Sequence, residues 1–262
     1  MISVKSAREV QLMKESNRIV AVVLDEIGSL IKVDLSTKEL DRIAEKIILS
    51  EGGIPGFKNY SVPGLPPFPA ALCTSVNSCI AHGIPSDDVV LKDGDIVGID
   101  VGVIKDGYCG DGAGTYAVGN ISDKAKDLMN ITRQALEEGI AEALPGNRVG
   151  DISHAIGSFV ISNGYYVADN LTGHGIGRLI HEEPVVPNFG RKHRGNRLKE
   201  GMTIAIEPMV NIGTNRVFED GWEYYVADGS LSAHFEHTIL ITDGKPEILT
   251  RSRQDYGKNR SN

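Results

Sequence analysis

The chain has 262 residues, of which 41% are hydrophobic and 24% charged, and its formal net charge is -8. These proportions are typical of a globular protein and exclude a disordered or fibrous chain, and the acidic balance opposes non-specific binding of DNA or RNA over the whole surface. No stretch approaches the roughly twenty apolar residues of a membrane span, and the N-terminus has no apolar run behind a basic start, so we expect neither membrane insertion nor secretion.

Two helices are predicted at the start of the chain. The capping-box pattern SARE at 6–9 precedes apolar residues at helical spacing and predicts a helix over 7–31. A second capping-box pattern at 36–39 predicts another helix, which ends at the glycine pair 52–53. After a proline-rich loop, strand patterns lie at 71–76, 96–103 and 108–118, and residues 105–107 suit a hairpin turn.

The second half of the chain repeats this order of elements. Helical patterns cover 122–144 and 151–163, and the first of them ends at Pro145 and Gly146. Strand patterns follow near 202–210, 221–226 and 231–242. Helices followed by strands, repeated once, indicate an α+β fold with a mainly antiparallel curved sheet and helices on the outside.

A diverged internal repeat supports this division. Residues 91–100 (LKDGDIVGID) align with 198–207 (LKEGMTIAIE), and upstream 48–52 (ILSEG) aligns with 160–164 (VISNG) in the same order. We therefore predict one domain with two pseudo-symmetric halves, about 6–118 and 122–250, followed by a polar tail over 251–262. Separately from the repeat, we expect a monomer. Each copy of the longer repeat ends on a carboxylate after an apolar strand, which is costly to bury unless a cation meets it.

Four carboxylates and one imidazole are the candidate metal ligands. Taken singly, each has a structural explanation, as a turn residue, a loop histidine or a strand-end acid. Together they exceed the needs of one catalytic zinc and suit two ions of borderline hardness. The set is Asp100, Asp111, His174, Glu207 and Glu236.

These residues lie in motifs by which the chain resembles a type I methionine aminopeptidase of the pita-bread fold, over nearly its whole length from about residue 6 to 250. The matching segments are 81–85 (AHGIP), 98–102 (GIDVG), 108–111 (YCGD), 173–178 (GHGIGR), 181–184 (HEEP), 206–209 (IEPM) and 235–238 (FEHT).

The resemblance implies roles for these residues and a reaction. Asp111 and Glu236 would bridge two divalent metal ions (cobalt, manganese, iron or zinc), Asp100 would bind one of them, and His174 with Glu207 the other. His82 and His181 would be catalytic residues that bind the substrate beside the metals. Glu207 would also transfer protons during hydrolysis. The implied reaction is hydrolytic removal of the initiator methionine from nascent chains when the second residue is small.

The methionine pocket is implied by Cys73 and Trp222. Which of Phe57, Tyr60 and Phe68 completes this pocket is left open by the sequence. The chain also departs from many bacterial relatives, with Ile180 where an aromatic residue is common before His181, Leu171 where tyrosine is common, and a proline-rich segment at 61–69.

A basic segment from Arg191 to Lys199 carries five cations on an acidic protein. Such a segment is usually a solvated loop, and its alternative use is contact with ribosomal RNA. The loop at 211–219, which follows the IEPM motif and faces the ribosome in the family, has only Arg216 as a basic residue here.

Three cysteines, Cys73, Cys79 and Cys109, cannot all pair and lack CxxC spacing, so we expect reduced thiols in a cytoplasmic protein. Three rivals to this function are a proline-specific peptidase, a type II methionine aminopeptidase and a non-catalytic binding protein of the same fold. They would need an extra N-terminal domain, a large insertion before Glu236, or lost ligands, and the sequence shows none of these.

Overall fold

The structure is a computed structural model and describes residues 2–251. The predicted tail at 251–262 therefore lies almost entirely outside the described residues. The helices within the described part are α1 (Ala7–Leu30), α2 (Thr37–Ser50), α3 (Asp123–Ala141) and α4 (Val149–Ser162).

The first three helices begin where serine caps them, whereas α4 begins two residues before the predicted 151. Ser6 and Glu9 form a complete capping box at α1. At α2 only half of the predicted box forms, because Ser36 accepts the amide of Glu39 while the Glu39 carboxylate pairs with Arg42 at 3.3 Å. The helices end one to three residues before the predicted ends, since a terminal residue such as Ile31 caps the helix rather than continuing it.

The strands are more numerous than the predicted ones, and most are shorter, although β4 extends two residues beyond the predicted 96–103. In the first half they are β1 (Ile54–Pro55), β2 (Cys73–Val76), β3 (Cys79–Ala81), β4 (Ile96–Lys105) and β5 (Tyr108–Ala117). In the second half they are β6 (Tyr166–Val167), β7 (Thr172–Gly175), β8 (Glu182–Pro187), β9 (Thr203–Ile206), β10 (Met209–Asn211), β11 (Val217–Asp220), β12 (Glu223–Val226), β13 (Ser232–His234), β14 (Glu236–Leu240) and β15 (Glu247–Ile248).

One large sheet organises the molecule. Its strand order is β1-β4-β5-β14-β9-β7-β8, with β2 on β4 and β15 on β14, and all of these pairings are antiparallel. The longest hairpin, β4–β5, turns at 105–107 as predicted. The predicted α+β class with a mainly antiparallel sheet is confirmed.

Two predicted strands are wrong in their continuity. The chain over 202–210 divides into β9 and β10 at Glu207 and Pro208, and the chain over 231–242 divides into β13 and β14 at Phe235. Strands β9 and β14 belong to the large sheet, whereas β10 and β13 pair with each other in a separate three-stranded sheet. Each break is therefore the place where the chain changes sheets.

The two copies of the sequence repeat end at β4 and β9, and these two strands occupy matching places in the large sheet. Strands β5 and β14 pair at its centre, with β4 beyond β5 on one side and β9 beyond β14 on the other. Two hydrophobic clusters follow the same division, one beneath α1 and α2 and the other beneath α3 and α4. This arrangement supports the interpretation of two pseudo-symmetric halves, which remains our proposal.

Candidate metal centre

Five adjacent strands of the large sheet, β4, β5, β14, β9 and β7, each present one candidate ligand. These are, in that order, Asp100, Asp111, Glu236, Glu207 immediately after β9, and His174.

Strand register places these ligands on one face of the sheet. Ala113 lies two residues after Asp111 and pairs with both Asp100 and Glu236, so these positions share a face. On the other side of Glu236, Ala205 pairs with His174 and lies two residues before Glu207. Because Ala205 also pairs with Thr238, which is two residues from Glu236, all five ligands point to the same side.

The ligand atoms lie close enough for a metal to bind several at once. Ligand atoms of Asp111, His174 and Glu236 all lie within 4.8 Å of one another, and all three side chains are buried. Glu207 Oε1 lies 3.4 Å from His174 Nε2, and Asp111 Oδ2 lies 3.8 Å from the same nitrogen. Together with Asp100, these four line one pocket.

The buried acidic side chains of this pocket would be stabilised by a bound cation. Burial raises the pKa of Asp100 from 3.8 to about 7. Burial, and then the neighbouring carboxylates, raise the pKa of Asp111 and of Glu236 well above their usual range. Buried oxygens of Asp100 and Glu236 also have no hydrogen-bond partner among the described residues. Buried acids without partners are costly, and four carboxylates with one imidazole are a donor set that fits divalent ions.

His174 is held in the form that binds a metal. Its Nδ1 lies 3.0 Å from the Gly175 carbonyl oxygen, which fixes the proton on Nδ1 and leaves the Nε2 lone pair directed at Asp111 and Glu207. Burial, and then the nearby His181, lower the pKa of His174 to about 4, so the ring is neutral at physiological pH.

His82 reaches the pocket through an unusual backbone conformation. Its φ angle is +56°, a region that non-glycine residues seldom adopt and that often marks functional sites. The next residue must be glycine, because a Cβ on Gly83 would lie 2.3 Å from the Thr74 carbonyl oxygen. The buried Nδ1 of His82 has no partner among the described residues, and burial lowers its pKa to about 4.

His181 lies at the rim of the same pocket. It is the last residue of the loop between β7 and β8, and its ring centroid is 4.4 Å from that of His174. The Tyr60 hydroxyl lies 2.7 Å from His181 Nδ1. If this hydroxyl donates to Nδ1, the ring carries its proton on Nε2 and can donate it toward the pocket.

An aromatic wall closes the apolar side of the pocket. Phe68 and Trp222 pack edge to face with their ring centroids 5.5 Å apart, and the Trp222 indole nitrogen donates to the Pro66 carbonyl oxygen at 2.8 Å. Cys73 lies beside them, paired across the sheet with Asp100. All three aromatic candidates left open by the sequence, Phe57, Tyr60 and Phe68, line the pocket.

Two of the three noted departures, Leu171 and Ile180, lie in the core and do not line this pocket, whereas the third, the segment at 61–69, contributes Phe68 to its lining. Leu171 packs among the buried residues around Ile80 and Met209. Ile180 is buried beside Phe57 and lies against the backbone of Gly102. Both side chains therefore contribute to hydrophobic packing and not to the lining of the pocket.

Sequence reasoning missed one residue of the site, His234. It is 4% exposed, its Nε2 lies 3.6 Å from Glu207 Oε2, and that nitrogen has no hydrogen-bond partner among the described residues. Alternation along a strand would not have identified it, because His234 ends β13 and Glu236 begins β14 in a different sheet.

The comparisons with known proteins agree with this geometry. The sequence profile of metallopeptidase family M24 matches residues 11–243. Methionine aminopeptidase 1 of Bacillus subtilis is 47% identical over 96% of this chain and 100% of its own length. The methionine aminopeptidase of Clostridium perfringens is also 47% identical, over 95% of this chain and 99% of its own.

Solved structures show the same fold. The methionine aminopeptidase of Thermotoga maritima superposes with a TM-score of 0.93 at 42% identity, covering 96% of this chain and 100% of that one. A prolidase of Pyrococcus horikoshii shares the fold at a TM-score of 0.76 and 23% identity, over 95% of this chain but 64% of its own. The predicted pita-bread fold is thus confirmed. Because the family profile matches most of the chain and the relatives that match it over their whole length are methionine aminopeptidases, the chain belongs to metallopeptidase family M24.

Proposed function

We propose that this protein removes the N-terminal methionine from polypeptides whose second residue is small, using two divalent metal ions. The observation that carries the proposal is the convergence of five ligands from five adjacent strands beside an aromatic pocket. The names of its full-length relatives support the same reaction.

We assign the metals to the five ligands. Asp111 and Glu236 would contact both ions, Asp100 one of them, and His174 with Glu207 the other. The unpartnered oxygens of Asp100 and Glu236 support this assignment. Bound divalent ions would polarise the scissile carbonyl and acidify a water molecule.

The protein's own groups supply proton transfer and hydrogen bonds. Glu207 would accept the proton of the attacking water and pass it to the leaving amine, because burial and Asp100 raise its pKa well above the usual range of a glutamate. His82 and His181 would donate hydrogen bonds to the substrate oxygen on which negative charge develops. Both rings line the pocket beside Glu207.

The aromatic pocket would select methionine. Phe68, Trp222 and Cys73 form a buried apolar cluster, so an unbranched thioether fits beside them while a charged side chain would lose its hydration. Burial keeps the Cys73 thiol protonated by raising its pKa. The residue after the scissile bond would lie against the five candidate metal ligands. A large side chain there would hold the scissile carbonyl away from the reacting water.

The test is a matched peptide set assayed with manganese, cobalt, iron or zinc restored to chelator-treated protein. Peptides starting Met-Ala and Met-Gly should be cleaved. Peptides starting Met-Leu and Met-Lys should react at least about 100-fold more slowly in kcat/KM, a gap of about 2.7 kcal/mol. Equal rates on Met-Ala and Leu-Ala peptides, or preferred cleavage before proline, would refute the proposed substrate.

We further propose that the protein acts as a cytoplasmic monomer on nascent chains, with Arg191–Lys199 contacting the ribosome. All five cations of the segment are exposed, and the three cysteines are free and buried. Within residues 2–251, no helix is long and apolar enough to cross a membrane. Co-sedimentation with ribosomes should weaken when Arg191, Lys192 and Arg194 are replaced by glutamine, and unchanged binding would remove this contact from the proposal.

A further inference from the structure

An ion pair between Lys5, in the segment before α1, and Glu182 supports the loop that carries His181. Lys5 Nζ lies 2.8 Å from Glu182 Oε2, and the lysine side chain is only 4% exposed. The backbone of Lys5 is itself anchored, because its amide donates to the Gly201 carbonyl oxygen at 2.7 Å. Lys5 is remote in sequence from Glu182, yet it fixes the residue that directly follows His181.

Glu182 passes this restraint to the loop backbone. Its second oxygen, Oε1, accepts hydrogen bonds from the amides of Arg178 at 2.8 Å and Leu179 at 3.2 Å. Burial alone would raise the pKa of Glu182, but the hydrogen bond from Lys5 and those from the loop amides hold it below its ordinary value. The carboxylate is therefore charged at neutral pH and ties both ends of the turn before His181 to Lys5.

The loop is shaped around this ion pair. A Cβ on Gly177 would lie 2.6 Å from Lys5 Cε and 2.7 Å from Glu182 Oε1, so a side chain there would displace both partners. The carbonyl oxygen of Gly177 accepts the amide of Cys109 at 2.7 Å. The segment thus has fixed points at Gly177 and Glu182, and His181 lies next to the second.

We infer that Lys5 is a positioning residue for catalysis, acting through Glu182 to hold His181 against the pocket. The inference rests on the proposed function, in which His181 donates to the substrate. Displacement of a catalytic group by about 1 Å can cost up to about 100-fold in rate, which sets the scale of the expected effect.

The experiment compares Lys5→Met and Glu182→Gln with a matched control, Lys14→Met. Lys14 forms an ion pair of the same length, 2.8 Å with Glu247, but both partners are substantially exposed. On a Met-Ala peptide, Lys5→Met should lower kcat between about 10- and 100-fold, with KM and bound metal near wild type. Lys14→Met should leave kcat unchanged. Glu182→Gln serves as the second variant because it keeps the shape of the side chain while it removes the charge and one of the two acceptor oxygens.

A double-mutant comparison separates positioning from general destabilisation. If Lys5 acts through His181, adding Lys5→Met to His181→Ala should cause no further loss of kcat. An equal further loss in that background, or wild-type kcat in both Lys5→Met and Glu182→Gln, would overturn the inference. A wild-type enzyme inactive on Met-Ala peptides would refute the proposed function instead. NMR of the histidine rings then decides the positioning claim. A His181 signal that shifts in Lys5→Met but not in Lys14→Met supports it, and a signal that is unchanged in Lys5→Met refutes it.

Discussion

Replacing Asp100 by asparagine should make the metal-free protein more stable at neutral pH, although it removes a proposed ligand. The pKa of Asp100 is raised from 3.8 to about 7 by burial, and each pKa unit corresponds to about 1.36 kcal/mol. Ionised Asp100 therefore costs the metal-free fold about 4 kcal/mol above pH 7. The amide loses this penalty but leaves a buried donor unpaired, at about 1–3 kcal/mol, so a net gain of about 1–3 kcal/mol remains.

The sign of the pH dependence follows from the raised folded pKa. The folded state holds its proton up to about pH 7 whereas the unfolded state releases it near pH 4, so stability falls as pH rises between these values. Between pH 5 and pH 7 the advantage of Asp100→Asn over wild type should widen by about 2.7 kcal/mol, because the two states differ by one bound proton over two pH units. Asp88→Asn, at an exposed position, serves as the control.

Thermal unfolding in a chelator at pH 5, 7 and 8 measures this directly. At about 2–4 °C per kcal/mol for a chain of this size, Asp100→Asn should melt roughly 5 °C above wild type at pH 8. Added manganese should reverse the order, because the wild-type site then gains binding energy. The reasoning would be refuted if metal-free Asp100→Asn were less stable than wild type at pH 8 and the difference were the same at pH 5. Ionised Asp100 would then carry no burial penalty.

Three further predictions concern the same site. Glu236→Gln should lose bound metal together with activity, measured by metal analysis after dialysis, whereas His181→Ala should keep its metal and lose about 100-fold in kcat. Metal loss in His181→Ala would make that residue a ligand. Tyr60→Phe, which removes the partner 2.7 Å from His181 Nδ1, should lower kcat about 10-fold without changing metal content, and an unchanged kcat would remove the tautomer argument. Metal binding should release protons at about pH 6, since ligands protonated in the free protein must ionise. Calorimetry in buffers of different ionisation enthalpy would reveal this release, and an identical heat in all buffers would contradict it.

The helices and the residues that converge on the pocket could be predicted from sequence because their signals are local. Capping residues fix the helix starts, and Asp100 lies inside an apolar strand pattern that gives its position directly. The segment around His174 carries no such pattern, since its glycines remove the alternation by which strands are identified. Strands β7 and β8 were therefore missed, although the histidine between the glycines was found by its motif.

The changes of sheet could not be predicted, because they depend on partners distant in sequence. Apolar residues continue across Glu207 and Phe235, so periodicity alone predicts one strand where there are two. The Lys5–Glu182 ion pair has the same origin, because 177 positions separate its members. Such contacts arise from tertiary packing, which local patterns do not encode.

Anomalous scattering from crystals of protein purified without added metal, collected at several absorption edges, tests the central claim most directly. The account predicts two anomalous peaks in the pocket, each at about 2.0–2.3 Å from atoms of the five ligands. Asp111 and Glu236 should contact both peaks. A single peak that leaves Asp100 or Glu207 without a metal contact, in crystals that also fail to take up a second ion on soaking, would contradict the two-metal site.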